Sequence, residues 1–228
     1  MNKTKFFFAL LILMVSACKT RTQQTMPFYQ DIQAFKKQDS INFPPANADL
    51  FIGSSSFTKW KDVQDYFPGY KIINRGFGGS TLLDVIRYVP DIVYPYHPLQ
   101  VVVYCGENDL AADPNITGDV VAKRFVTLFH LIRKKYPDIP VAYVSMKPSP
   151  SRVNLMPKME RGNELIKSFL ATKQYARFID VYHLMLAEDG KPIDSLFLED
   201  KLHMKPNGYH IWQKVIQPVL VREPKKIM

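Results

Sequence analysis

From Asp49 onward, short β-branched runs alternate with amphipathic stretches, and this alternation constrains the fold more than any other feature of the chain. The runs are LFIG (50–53), KIINR (71–75), VVVYC (101–105), VAYVS (141–145) and ARFIDV (176–181). Between them Leu82, Ile86, Val89 and Val93 share one helical face, as do Val121, Phe125, Leu128 and Ile132. Thr81-Leu82-Leu83-Asp84 has the form of a capping box and predicts a helix start. Tyr209, Trp212, Ile216 and Val219 mark a last helix, with Pro206 near its start. Strands that are apolar on both sides must be covered on both faces. Five βα units therefore predict one doubly wound α/β domain with a five-stranded parallel sheet and helices on each face. Ligands bind such sheets outside the carboxyl ends of the strands. The segments 53–56, 76–80 and 106–109 each follow a predicted strand directly, so all three are expected at one edge.

The ends of the chain point to export. MNKTK is followed by FFFALLILMV and then Ser16-Ala17-Cys18: a basic flank, an apolar stretch and small residues before a cut. About ten apolar residues fall well short of the roughly 20 that span a bilayer as a helix. Val15-Ser16-Ala17-Cys18 resembles the lipobox of bacterial lipoproteins, with Cys18 as the lipidated first residue of the mature chain; the competing expectation is ordinary cleavage near Ala17. The predicted organisation is a signal peptide over 1–17, a lipidated Cys18 and tether over 18–26, and the folded domain over 27–222. Phe28, Ile32 and Phe35 predict a short helix over 27–37. The expected location is the cell envelope of a bacterium, in the periplasm or on the cell surface. Formal charge is +9, and loss of Lys3 and Lys5 with the signal leaves +7, a balance that favours anionic surroundings. The basic residues are scattered and carry no recognisable nucleic-acid motif, which argues against a nucleic-acid partner. No protein partner is predicted, and no Cys/His spacing suggests a metal. The second cysteine, Cys105, lies in VVVYCG and is expected to be a small buried hydrophobe.

A Gly/Ser cluster such as Gly53-Ser54-Ser55-Ser56 is a plain turn in most chains. A reactive serine needs a base, and the base works best when a third group orients it. Of five histidines, His97 sits between prolines, His130 and His210 fall on helices, and His183 follows a strand with no evident acidic partner. His203 stands three residues after Asp200 in LEDKLHMKPNGYH, where a tight turn would bring the carboxylate to Nδ1 and leave Nε2 facing outward. Acyl transfer also needs donors for a developing oxyanion. The Gly79 backbone N–H and the Asn108 amide are candidates.

Together, Gly53-Ser54-Ser55, the glycine pair of RGFGGS, the asparagine of GEND and the Asp200/His203 pair resemble the four sequence blocks of the SGNH (GDSL-type) hydrolases, in order and approximate spacing. The resemblance runs from about Ala48 to Leu220 and implies a flavodoxin-like fold. It implies Ser55 as nucleophile, His203 as general base, Asp200 as its orienting acid, and an oxyanion hole made by Ser55, Gly79 and Asn108, with no cofactor. The sequence departs from the family at Ser54, where many members carry Asp, and at Ser56-Phe57, where the motif name has Leu. Lys147 and Arg152, in the Pro-rich segment after the fourth run, are expected to meet an anionic or polar part of the substrate.

These features predict a serine esterase or acylhydrolase acting through an acyl-enzyme on short-chain, acetyl-type esters of a glycan or similar alcohol. The alternatives are a lysophospholipase or other lipid esterase, and a non-catalytic lipoprotein that binds a glycan or lipid. Expected partners are a small-molecule or glycan ester and, through Cys18, a membrane.

Overall fold

The computed structural model describes residues 26–222; the signal, Cys18 and nearly all of the tether lie outside the described residues. The chain divides at Asn42 into two compact units. In the first, helix α1 spans Tyr29–Ile41, starting two residues later and running four residues further than the sequence predicts.

The second unit, from Phe43, carries the whole sheet. Its strands are β1 (Asp49–Gly53), β2 (Ile72–Gly76), β3 (Gln100–Tyr104), β4 (Val141–Val144) and β5 (Ala176–Ile179). They lie in the order β2-β1-β3-β4-β5, every pair parallel. All five expected strands are present, within two residues of the predicted bounds. The helices are α2 (Ser55–Lys59), α3 (Val63–Tyr66), α4 (Leu82–Ile92), α5 (Glu107–Ala112), α6 (Gly118–Lys135), α7 (Met156–Ala171) and α8 (Pro206–Ile216). This is the doubly wound arrangement with flavodoxin-like strand order, and the order reverses between β1 and β3.

The two-residue period of a strand sends alternate side chains to opposite faces. Phe51, Val102, Tyr104, Ala142 and Val144 join one buried cluster with Phe57 and Trp60 of the α2 segment and Trp212 and Ile216 of α8. On the other face Tyr143 packs its ring 4.6 Å from Phe125 of α6, while α6 lies against both α4 and α7. The predicted capping box forms: Thr81 Oγ accepts from the Asp84 N–H and Asp84 Oδ2 accepts from the Thr81 N–H, so α4 starts where the sequence says. Trp60 stacks on Tyr209 at 4.7 Å, and Tyr209 Oη donates to the Ser56 carbonyl at 2.9 Å. These contacts fasten α8, and the loop before it, to the turn after β1.

Candidate active site

The segment after β1 is set by Gly53. Its φ of 131° suits glycine, and a Cβ there would overlap the Tyr104 carbonyl oxygen at 1.9 Å. The strand can therefore turn at once into α2, with Ser54 as N-cap and Ser55 as first helical residue. As the first residue of the helix, Ser55 has no intrahelical acceptor for its N–H, which stays available to a ligand. Ser54 and Ser56 are buried, whereas Ser55 is half-buried.

The β2 loop is pulled against this turn. The Phe77 N–H and Ser80 Oγ both donate to the Gly53 carbonyl, at 2.9 and 3.2 Å. Gly79 is exposed with φ 88°, a conformation that favours glycine, and a Cβ placed on Gly78 would lie 3.9 Å from the Ser55 Cβ.

The third loop leaves β3 through Gly106 and places Asn108 in the first turn of α5. Asn108 Nδ2 donates to Ser54 Oγ at 2.7 Å and to the Ser80 carbonyl at 3.0 Å, joining all three loops. Its neighbours, which the sequence analysis did not single out, hold it from behind. Asp109 accepts from the Leu82 N–H at 2.8 Å and pairs with Arg124 at 2.7 Å. Burial raises the Asp109 carboxyl above its ordinary value, with the Arg124 and Leu82 hydrogen bonds opposing it. Glu107 accepts from Tyr104 Oη and from Lys147 Nζ, the latter at 3.1 Å. The signal for both residues was the pair of acids flanking the asparagine in GEND.

Asp200 and His203 come together as expected from their spacing. Asp200 Oδ2 lies 2.6 Å from His203 Nδ1, and Asp200 Oδ1 accepts from the Leu202 and His203 N–H groups at 3.0 and 2.9 Å. Burial alone would raise the Asp200 carboxyl, but the His203 side chain and these two backbone donors outweigh it and hold it well below the usual carboxylate range. An ionised carboxylate only accepts, so Nδ1 carries a proton, and when the ring holds just that one Nε2 is left with the lone pair. The loop is tied to the segment after β4 by the Ser151 N–H donating to the Lys201 carbonyl at 3.0 Å.

Two expectations need correction, at Lys147 and at His183. Lys147 is buried, with its ammonium on Glu107 and 5.9 Å from the Phe197 ring centroid, so it braces loops and does not face a substrate. Burial pulls that ammonium below its ordinary value, and Glu107 opposes the shift. Arg152, half-buried, donates from Nη2 to Asn108 Oδ1 at 2.9 Å, placing it on the candidate oxyanion residue itself. His183 does have an acidic partner: β5 ends at Ile179, and Asp180 Oδ2 lies 2.7 Å from His183 Nδ1. Cys105 is buried as expected, and burial pushes its thiol well up, leaving it little thiolate character.

Residues 50–211 match the model of the GDSL-like lipase/acylhydrolase family. No curated protein matches. Among solved structures, the chain is similar to a GDSL-like lipase from Bacteroides thetaiotaomicron, with 20% identity, 82% of this chain and 96% of that chain covered, and a TM-score of 0.69. It is also similar to a candidate acylhydrolase from Bacteroides fragilis, with 23% identity, 79% and 91% covered, and a TM-score of 0.69. A third structure, a candidate platelet activating factor from Streptococcus pneumonia, has 16% identity, 93% and 99% covered, and a TM-score of 0.74. At these identities the structural likenesses speak for the fold, and the sequence match over 50–211 speaks for the family. This chain belongs to the GDSL-like lipase/acylhydrolase family and is an ester hydrolase.

Proposed function

We propose that the chain is a serine esterase that removes acetyl or similarly short acyl groups from a glycan or related alcohol through an acyl-enzyme. Ser55 Oγ attacks the ester carbonyl carbon while His203 Nε2 takes its proton. The negative charge that develops on the carbonyl oxygen meets the N–H groups of Ser55 and Gly79 and the Asn108 amide. Collapse of the tetrahedral adduct expels the alkoxide, which takes the proton from Nε2, and leaves the acyl group on Ser55. Water, deprotonated by the same nitrogen, then releases the acid and restores the serine.

The observation that carries this reading is the Asp200–His203 pair, whose carboxylate leaves Nε2 as a base and whose loop is bonded through Ser151 to the segment that reaches Asn108. A short acyl group is favoured by the brevity of the site loops: α2 begins two residues after β1, and α5 three residues after β3, with no inserted lid in either. A lipid ester is the second reading, favoured by Leu83, Val153 and Leu198, which sit near site residues in the chain and are 46%, 46% and 41% exposed. The envelope anchor belongs to the same proposal: a lipidated Cys18 would hold the enzyme at a membrane, and Cys18→Ala would move it from the membrane fraction to the soluble one.

The test is hydrolysis of p-nitrophenyl acetate and a long-chain analogue by the protein from Lys19 onward, with Ser55→Ala beside it. Turnover abolished in the variant and higher on acetate supports the short-acyl esterase. A preference for the long chain selects the lipid ester, and undiminished turnover in Ser55→Ala overturns the nucleophile.

A further inference from the structure

We infer that Arg152 is a positioning residue for the oxyanion hole, acting through the side-chain amide of Asn108; this rests on Asn108 being an oxyanion donor. The amide is constrained at both ends. Oδ1 accepts from Arg152 Nη2 at 2.9 Å, and Nδ2 donates to Ser54 Oγ at 2.7 Å and to the Ser80 carbonyl at 3.0 Å. A guanidinium can only donate and a carbonyl can only accept, so turning the amide over would set donor against donor and acceptor against acceptor. With Arg152 present, Nδ2 faces the Ser54–Ser80 side. Without it, only the Ser80 carbonyl discriminates between the two orientations, because the Ser54 hydroxyl can donate or accept.

The guanidinium is itself placed by its backbone. The Arg152 N–H donates to the Ser149 carbonyl at 3.0 Å, and the neighbouring Ser151 N–H donates to the Lys201 carbonyl at 3.0 Å. Among the described residues no carboxylate pairs with Arg152, so its charge falls on the amide oxygen. A cation on Oδ1 draws electron density from the amide nitrogen and makes its N–H groups stronger donors. Ser54 complements this arrangement. A carboxylate at that position would hold the Asn108 N–H in a charge-assisted bond, whereas a hydroxyl is a weaker acceptor that rotates to suit and can yield the N–H to an oxyanion.

A competing role for Arg152 is direct contact with an anionic part of the substrate, and a neutral ester separates the two. On p-nitrophenyl acetate, Arg152→Met should lower kcat about tenfold, the order expected for losing one charge-assisted hydrogen bond, with KM changed less than about twofold. The same change made on Asn108→Ala should cost less than about twofold, because the group through which Arg152 acts is gone. Unchanged kcat in Arg152→Met, or a full tenfold loss repeated on Asn108→Ala, would overturn the assignment. A second readout is independent of turnover: the Asn108 side-chain amide protons should exchange with solvent faster in Arg152→Met than in wild type, and equal rates would count against the clamp. Turnover that survives Ser55→Ala would instead overturn Ser55 as the nucleophile and with it the proposed acyl-enzyme mechanism, and the exchange measurement would still judge Arg152.

Discussion

The molecule contains two Asp-x-x-His loops of nearly the same local build, and only one of them is coupled to the candidate site. In each the aspartate accepts from the backbone N–H of the histidine three residues on and meets its Nδ1, at 2.7 Å for Asp180–His183 and 2.6 Å for Asp200–His203. Their surroundings differ. The His183 side chain is 73% exposed, and the pair borders a cleft of about 220 Å³ between β5 and α7, shared with Glu160, Lys167 and Phe178. The His203 side chain is 18% exposed, and its loop is fastened to the segment that bears Arg152 and leads into α8, which is tied to Ser56. A carboxylate fixes the tautomer in both loops. What sets the Asp200–His203 loop apart is its bond through Lys201 to the segment whose Arg152 reaches Asn108, and on the proposed mechanism that is what makes His203 the base.

The widest separation between the loops is expected for the histidines. His203→Ala should lower kcat by roughly 100- to 10,000-fold, the range for loss of a general base, whereas His183→Ala should stay within about twofold. Steady-state rates on p-nitrophenyl acetate decide it, and comparable losses would erase the distinction. Next comes the oxyanion side, which the second loop lacks. Asn108→Ala should cost about 100- to 1,000-fold in kcat, while Asn163→Ala, beside the Asp180–His183 cleft, should cost catalysis nothing beyond any loss of folded protein. The carboxylates follow. Asp200→Asn should slow turnover by releasing the tautomer and leaving the imidazolium uncompensated, by at most the roughly 10,000-fold that this change costs in a Ser-His-Asp triad, with Asp180→Asn unaffected.

The smallest effect is on stability and depends on pH. Asp200 is held below the usual carboxylate range in the fold, so it binds protons less readily folded than unfolded. Its contribution to stability is present above the ordinary carboxylate range and is lost as pH falls through its lowered value. Thermal unfolding of Asp200→Asn should therefore begin slightly earlier than wild type at pH 7, with the difference closing in strong acid. A difference that widened in acid would contradict the hydrogen bonds assigned to Asp200.

Much of this was legible in the sequence, for identifiable reasons. The strands were visible because a parallel sheet covered on both faces demands continuous β-branched runs, and VVVYC and VAYVS supply them. The Asp200–His203 pair was visible because an aspartate three residues before a histidine can close a turn by itself. The His183 partner is hidden in the sequence because ARFIDV reads as strand to Val181, which would send Asp180 across a sheet; the strand stops at Ile179 and frees Asp180 to turn back. Lys147 was misjudged because its partner Glu107 lies 40 residues away on a different loop, and no local pattern reveals such a pair. Arg152 was seen as a charge at the correct edge, but its direction toward Asn108 depends on how the 149–152 turn is held by Lys201.

The most direct test of the central claim is to treat the protein with a fluorophosphonate, which phosphonylates activated serines, and to locate the adduct by fragmenting the peptide that holds Ser54, Ser55 and Ser56. The account predicts one adduct, on Ser55, formed far more slowly in His203→Ala and at the wild-type rate in His183→Ala. An adduct on Ser54 or Ser56, or esterase turnover in a protein that takes up no label, would contradict it.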